Sequence, residues 1–327
     1  MSASATTQSY ACRTLQAGDE ALVCALFREV FGQDMSAALW QWKYAQPQGC
    51  ATLVFDGERL VAHYGGMGRQ VLWRGREVAA VQVTDVMVAP SERSAVRSGS
   101  PFYLAFTSFA QHYLGHGRPY PLAYGFPNRR VMKLAQLLRF YAPVGEMLEL
   151  AWPAQRHWLQ HTYNRVPVTR DNFAQRVALL DSAWQQLRQG FADHIVGVKS
   201  PGWLKWRYLD HPQRQYQVRL CRSRFTGTVT GVFVLRHDGQ SCMLMDLIGA
   251  PEQMDTLLRL ALAEAAALGS TRVVTWCPAA FSSLLAAQGR SQTTIGVSIP
   301  TNIWTPGATP AELQDQWWLL PGDTDFQ

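Results

Sequence analysis

The sequence has 327 residues, of which 47% are hydrophobic and 17% are charged, and its formal net charge is +6. This length favours about two domains, and the lack of any run of about 18 apolar residues argues against a membrane-spanning helix. The basic residues are spread along the chain without a long basic helix, which favours a compact polyanionic ligand over a nucleic acid. They are most concentrated at Arg93, Arg97, Arg129, Arg130 and Lys133.

The first residues and the cysteines bear on the cellular compartment. The polar stretch Met1–Ser9 has no basic segment followed by an apolar one, unlike a secretory signal, so we expect a cytoplasmic protein. The cysteines are widely separated, with no CxxC pair and no histidine at zinc-binding spacing. We therefore expect reduced core thiols and no metal. The thiols are Cys12, Cys24, Cys50, Cys221, Cys242 and Cys277.

Hydrophobic periodicity and turn residues predict the elements of the first half. Asp19 is a plausible N-cap for a helix whose apolar face carries Leu22, Ala25, Leu26 and Val30. The predicted elements are a helix over 19–31, strands over 52–55, 60–64, 70–73 and 78–88, a helix over 102–114, a strand over 122–125 and a helix over 128–138.

The second half repeats this outline. Both halves are therefore mixed α/β, of the α+β type. The tail from Thr305 onward ends in Trp317-Trp318, so we expect it to dock on the rest of the chain. The predicted elements are a helix over 172–187, strands over 216–221, 229–235, 242–248 and 272–276, and a helix over 252–268.

Three short motifs recur in the same order in the two halves. Collinear matches favour an internal duplication over two unrelated α/β domains. The first copy has a longer segment, rich in Arg, Ser and Gly, after its second motif. The motif pairs are Trp42-Lys43-Tyr44 with Trp206-Arg207-Tyr208, Asp85–Pro90 with Asp246–Pro251, and Tyr124–Pro127 with Thr275–Pro278.

The longer segment, residues 93–102, lies between a predicted strand and a predicted helix. Unpaired N–H groups at a helix start attract phosphate, small residues allow it to approach, and arginines neutralise its charge. The segment therefore favours a pyrophosphate site, although an ordinary turn remains an alternative.

The chain resembles the GNAT acyltransferases. In that family a strand ending in V-x-P leads to a basic, glycine-containing loop, a helix, a short strand and a helix that starts at an asparagine. Those parts are here Val88-Ala89-Pro90, residues 93–99, residues 102–114 and Gly125-Phe126-Pro127-Asn128. More narrowly, the sequence is similar to the bacterial tandem-GNAT group.

The resemblance implies two tandem GNAT-like domains, each a mixed, mostly antiparallel twisted sheet flanked by helices. It places an acyl-CoA domain at 1–152, a helical linker at 153–190, a degenerate GNAT-like domain at 191–304 and a tail at 305–327. The match is good over 20–150 and architectural over 190–300.

The resemblance also implies a cofactor site. Backbone groups of Met87 and Val88 would pair with the pantetheine arm of the acyl-CoA, and Asn128 would contact the pantetheine or serve only as a helix cap. The loop is longer than in the family and keeps one glycine. Its pyrophosphate-binding residues would be Arg93, Arg97, Ser98, Gly99, Ser100 and Phe102.

The catalytic residues are less clearly marked. The family's usual tyrosine falls at Ala135, which leaves Tyr141 as the candidate acid. Asp85 is the candidate base, but its repetition as Asp246 favours a structural role.

Two further predictions concern the acceptor cleft and the aromatic-basic-aromatic triplets. His63 and Tyr64 are candidates to line the acceptor cleft, although a lone strand histidine is more often structural. The two triplets are predicted to pack each domain while Lys43 and Arg207 extend their charged ends to solvent.

We therefore expect an N-acyltransferase that moves an acetyl or short acyl group from CoA to a primary amine of a small molecule, with an amino sugar as one candidate acceptor. It would be a monomer or homodimer and need no nucleic acid. The alternatives are a catalytically silent CoA-binding or scaffold protein, and a Fem-type transferase that uses aminoacyl-tRNA.

Overall fold

The structure is a computed structural model, and it describes residues 9–45, 49–93 and 97–325. The described residues form two compact units. The chain passes from the first unit to the second and returns to the first twice before it ends in the second. The first unit draws on Met1–Arg69, Ala79–Gly125 and Asn302–Ala308, and the second on Gln70–Val78, Phe126–Thr301 and Thr309–Gln327.

The first unit is built on five strands in the order β1-β2-β3-β4-β5. Neighbours β1–β2 and β2–β3 are antiparallel, while β4 and β5 are parallel. The ends of β3 and β4 that flank their connecting turn belong to the second unit. The elements are β1 (Tyr10–Thr14), α1 (Glu20–Phe31), α2 (Ala37–Tyr44), β2 (Gly49–Asp56), β3 (Arg59–Trp73), β4 (Arg76–Val88), α3 (Pro101–Tyr113) and β5 (Leu122–Tyr124).

Strand alternation separates the two faces of this sheet. Tyr64 points to the face covered by α3, where its ring lies 5.6 Å from Phe106 and 4.9 Å from Phe109 between centroids. His63, the preceding residue, points to the opposite face, where its ring lies 5.8 Å from that of Tyr44 in α2. Phe106 and Phe109 of α3 therefore belong to the core.

Helix α1 lies where predicted, but a different face is buried. Val23 and Leu26 are buried, whereas Leu22 is 40% exposed. Asp19 precedes the helix without a side-chain capping bond. Its carboxylate instead binds Arg13 and the backbone N–H of Gln16.

The second unit contains a seven-stranded sheet in the order β13-β6-β12-β11-β10-β9-β7. Helices α5 and α7 pack against β10, and their apolar residues enter one buried cluster with the sheet. The elements are α4 (Arg129–Leu137), β6 (Tyr141–Pro153), β7 (Tyr163–Pro167), α5 (Phe173–Gly190), β8 (Ile195–Gly197), α6 (Pro201–Leu204), β9 (Gln217–Ser223), β10 (Val229–Asp238), β11 (Ser241–Ile248), α7 (Met254–Ala267), β12 (Arg272–Pro278), β13 (Ser291–Asn302), α8 (Pro310–Leu313) and β14 (Trp317–Trp318).

The units divide the chain differently from the predicted boundaries at 152 and 190. Strand β6 was assigned to the first domain, but it pairs antiparallel with β12, from Pro153 opposite Arg272 to Met147 opposite Pro278. The segment 153–190 is also more than a linker, since β7 pairs with β9 and α5 joins the core of the second unit.

The tail docks as predicted. Trp317 and Trp318 are buried, and β14 pairs in parallel with β8. The Trp318 ring lies 5.1 Å from that of Phe191 between centroids. The two tryptophans therefore anchor the C-terminal segment within the second unit.

Some features concern the chain as a whole. All six cysteines are free, and four of them are buried, whereas Cys12 is exposed and Cys24 is partly exposed. No helix in the described ranges is both long and apolar enough to cross a membrane. Within the same ranges, no three His, Cys, Asp or Glu side chains are grouped so as to hold a metal ion.

Candidate functional site

Strands β4 and β5 of the first unit pair with each other over only part of the length of β4. Their parallel pairing covers three residue pairs and ends where Gln82 faces Tyr124. Beyond that point β4 continues to Val88, while β5 pairs with none of its later described residues. We call the side of Val83–Val88 that β5 no longer covers the β4 edge.

The direction of the backbone groups follows from the strand periodicity. Ala89 donates its N–H to the carbonyl oxygen of Val61 in β3, at 2.8 Å. Alternate residues of a strand direct their backbone groups to opposite neighbours. Val86 and Val88 therefore face the β4 edge, whereas Met87 faces β3. The carbonyl oxygen of Val88 accepts a bond from Arg93 Nε at 2.9 Å.

Asp85 interrupts the regular geometry of β4. It has φ +46°, a left-handed conformation that is unusual for a residue other than glycine. Lys43 Nζ donates to both carboxylate oxygens, at 2.8 and 2.9 Å, and Tyr44 Oη donates to Oδ2 at 2.7 Å. With its oxygens engaged in this way, Asp85 has the contacts of a structural carboxylate, the alternative favoured by its repetition.

The basic residues of the triplets do not reach solvent, which corrects the prediction for them. Lys43 is 4% exposed and Arg207 is 1% exposed. Arg207 donates to the carbonyl oxygens of Gly322 and Thr324 in the tail. Both cations stay buried because each has buried acceptors that compensate for its desolvation.

The second unit repeats the contact between tyrosine and aspartate. Tyr208 Oη donates to Asp246 Oδ2 at 2.8 Å, and Lys199 Nζ donates to the same oxygen at 3.0 Å. Lys199 also pairs with Asp323 of the tail. Burial is the largest cause that raises the pKa of Asp246, to about 6, although Lys199 opposes it.

The two candidates for the acceptor cleft are both buried. His63 and Tyr64 each have 0% exposure. Tyr64 lies in the core beneath α3, as described above. His63 Nδ1 lies 2.7 Å from the carbonyl oxygen of Asp85, so the histidine adjoins the unusual turn of β4 on the face opposite α3.

The predicted pyrophosphate loop leads into α3. Ser100 is its N-cap, with Oγ accepting from Tyr103 N–H at 3.4 Å, and Pro101 occupies the first turn. Gly99 has φ +83°, and no atom of the described residues lies within 4 Å of the place its Cβ would take. Phe102 is partly buried, whereas Arg93, Arg97, Ser98 and Gly99 are exposed.

This arrangement presents helix-start N–H groups beside small exposed residues and an arginine, which is suited to binding an anion. Residues 94–96 of the loop lie outside the described residues.

Asn128 and Tyr141 lie in the second unit. Asn128 Oδ1 accepts the N–H of Val131 at 3.0 Å, so the asparagine is a helix cap. It also lines a depression of about 390 Å³ with Arg129, Arg130 and residues 294–296. Tyr141 is 7% exposed, and burial raises the pKa of its phenol well above the usual range. Its hydroxyl therefore holds its proton at neutral pH.

Sequence reasoning missed the partners of Asp85. Lys43 and Tyr44 were assigned to general packing, yet they bind its carboxylate. A signal was present, because the triplet and the aspartate recur in the same order in both halves. Residues repeated together are candidates for direct contact, and the bonds from Tyr44 and Tyr208 to the two aspartates follow this pattern.

Residues 11–131 match the family model described as an acetyltransferase (GNAT) domain. A search of curated proteins gave no match. Residues 11–131 are therefore similar to a GNAT acetyltransferase domain, and this range includes β4, its edge and the loop before α3.

Solved structures share the fold over nearly the whole chain. A conserved protein from Enterococcus faecalis V583, titled a probable N-acyltransferase, has a TM-score of 0.67 at 12% identity, covering 94% of this chain and 74% of its own. A GCN5-related N-acetyltransferase from Anabaena variabilis has 0.63 at 12%, covering 90% and 73%. A third, from Kribbella flavida, has 0.59 at 16%, covering 89% and 71%.

Proposed function

We propose that this chain is an acyl-CoA-dependent N-acyltransferase whose acyl-CoA site is the β4 edge together with the loop before α3. The observation that carries the proposal is the end of β5 pairing at Gln82, which leaves β4 backbone groups available to a linear ligand. The capped start of α3 lies a short loop further along the chain. A pantetheine arm with its pyrophosphate matches this combination of amide groups and an anion site.

The residues present fit such a ligand. Val86 directs its backbone groups and Val88 its N–H to the β4 edge, where they can pair with the amides of a pantetheine arm, while the carbonyl oxygen of Val88 accepts from Arg93 Nε. Gly99 and Ser98 leave room for phosphate oxygens at the start of α3, and Arg97 supplies positive charge. Acetyl-CoA, when bound, supplies the activated acyl group.

The reaction joins the amine nitrogen to the acyl carbon, breaks the bond from that carbon to sulfur, and moves one proton from nitrogen to sulfur. Negative charge develops on the carbonyl oxygen, and a fixed N–H donor stabilises it. The N–H of Val86, the residue after Asp85, is our candidate donor.

The carboxylate of Asp85 is bound by Lys43 and Tyr44. We therefore assign removal of the amine proton to a path through water rather than to Asp85. Orientation of the two reactants supplies much of the rate in such a site. The acceptor we propose is a primary amine of a small molecule, with an amino sugar as one candidate.

We also propose that the two halves are tandem GNAT-like copies. In both, a parallel strand pair covers three residue pairs, ending at Gln82 and at Met243. Asp85 and Asp246 each follow three residues later. In the second copy, Thr275 Oγ1 donates to the carbonyl oxygen of Leu244 at 2.8 Å and bridges the strands just past that pairing. We therefore assign acyl-CoA binding to the first copy alone.

The test is the thermal stability of the purified protein with acetyl-CoA, CoA and dephospho-CoA. A ligand at about a hundredfold over its Kd stabilises the native state by about 2.7 kcal/mol. Gly99→Glu places a negative charge in the phosphate loop and should abolish the shift. Gly269→Glu is the matched control, because Gly269 also has φ +83° and no atom in the described part of the chain lies within 4 Å of its Cβ position.

Stabilisation of the parent and the control but not of Gly99→Glu supports the site. The absence of any stabilisation by acetyl-CoA would remove the acyl-CoA proposal, and stabilisation by aminoacyl-tRNA instead would point to a Fem-type transferase.

A further inference from the structure

His63 lies beside the point where β4 departs from regular geometry. Its side chain is fully buried, Nδ1 is 2.7 Å from the carbonyl oxygen of Asp85, and Nε2 has no hydrogen-bond partner among the described residues. A carbonyl oxygen carries no hydrogen, so Nδ1 must be the donor. Burial lowers the pKa of the imidazole, which favours a neutral ring with its proton on Nδ1.

Asp85 is held at two points. Lys43 and Tyr44 bind its carboxylate, and His63 binds its carbonyl oxygen. A left-handed conformation at a residue other than glycine costs on the order of 1–3 kcal/mol and persists only where the surroundings impose it. Two buried contacts, from α2 and from β3, therefore impose this single backbone conformation.

The bond from His63 also acts on the following peptide group. The carbonyl of Asp85 and the N–H of Val86 belong to one trans peptide, so they point in opposite directions. A donor bound to the carbonyl polarises the amide and strengthens its N–H as a donor. The carbonyl points to the His63 ring, so the N–H of Val86 points away from that ring, and the strand periodicity places this N–H at the β4 edge.

We propose that His63 is a positioning residue for acyl transfer, which fixes and polarises the peptide between Asp85 and Val86 so that Val86 N–H stabilises the charge developing on the thioester oxygen. This inference rests on the proposed function. His63 acts through the backbone, touching neither acyl group nor acceptor, and it keeps its proton throughout the reaction.

The test compares His63→Asn with His63→Gln. The side-chain N–H of asparagine is as many bonds from the backbone as histidine Nδ1, whereas that of glutamine is one bond further. Removing a donor to the developing charge costs about 10²–10³ in kcat. We expect His63→Asn to stay within about threefold of the parent kcat and His63→Gln to lose at least about tenfold, with the acetyl-CoA Kd little changed in both.

A second readout is the infrared band of the carbonyl in bound [1-13C]acetyl-CoA. It should shift to lower frequency in the parent and in His63→Asn, and less in His63→Gln. His237→Gln, at an exposed position of β10, should match the parent in kcat, Kd and band position.

No band shift in the parent, or equal kcat for His63→Asn and His63→Gln, would overturn the role of His63 while acetyl-CoA binding stands. If the parent does not bind acetyl-CoA, that result contradicts the proposed function, and the role of His63 falls with it.

Discussion

Lys43 and Asp85 form a buried ion pair, with side chains 5% and 7% exposed. Removing one partner of such a pair leaves an uncompensated charge and typically costs about 3–5 kcal/mol. Lys43→Met keeps the length of the side chain and removes its charge. We expect it to lower the free energy of unfolding by about that amount, as measured by urea denaturation.

The control for this change is Arg28→Met. Arg28 pairs with Asp34, but their side chains are 71% and 70% exposed, and exposed pairs contribute about 0–1 kcal/mol. A loss below 1 kcal/mol for Lys43→Met would show that the carboxylate of Asp85 is stabilised by Tyr44 or by solvent rather than by the lysine.

At the residue scale, the sequence pointed to several positions but not to their roles. Asp85 and His63 stood out as titratable side chains on strands. His63 and Tyr64 were both assigned to the acceptor cleft, whereas the structure places them on opposite faces of the sheet. The φ of Asp85 and the donation by His63 to its carbonyl depend on contacts between separate elements. No local pattern encodes those contacts, so the function of His63 became visible only in the structure.

Strand β14 has only two residues, but both are buried tryptophans, and we expect them to contribute strongly to the free energy of unfolding. Trp318 has 0% exposure and contacts Phe191 and Phe281. Truncating a buried tryptophan to alanine costs about 3–5 kcal/mol. We expect this loss of unfolding free energy for Trp318→Ala, as measured by circular dichroism in denaturant.

Trp158→Ala is the matched control within the same unit, because Trp158 is 66% exposed. It should cost less than about 1 kcal/mol. Equal losses for the two variants would mean that the tail is not anchored by Trp318.

At the element scale, local signals were enough for most helices and strands. Asn128 caps α4, which is one of the two roles that the sequence left open for it. Strand partners were harder to predict because pairing joins distant segments. The bonding of β6 to β12 and of β7 to β9 is set by the whole sheet, which is why the predicted boundaries at 152 and 190 differ from the observed units.

At the scale of the whole molecule, the strand order is the main regularity. The series β1-β2-β3-β4-β5 in the first unit is matched by β7-β9-β10-β11-β12 in the second, and the last pair is parallel in both. Mixed α/β organisation with helices on the sheets was predictable from the alternation of elements. The acceptor, the cytoplasmic location and the oligomeric state stay predictions of the sequence.

The most direct test of acyl transfer is the release of free CoA thiol from acetyl-CoA in the presence of a panel of primary amines, amino sugars included. We expect thiol release that depends on the amine, that persists in Gly269→Glu and that disappears in Gly99→Glu. Stabilisation by acetyl-CoA without amine-dependent thiol release across the panel would contradict the account and favour a catalytically silent CoA-binding protein.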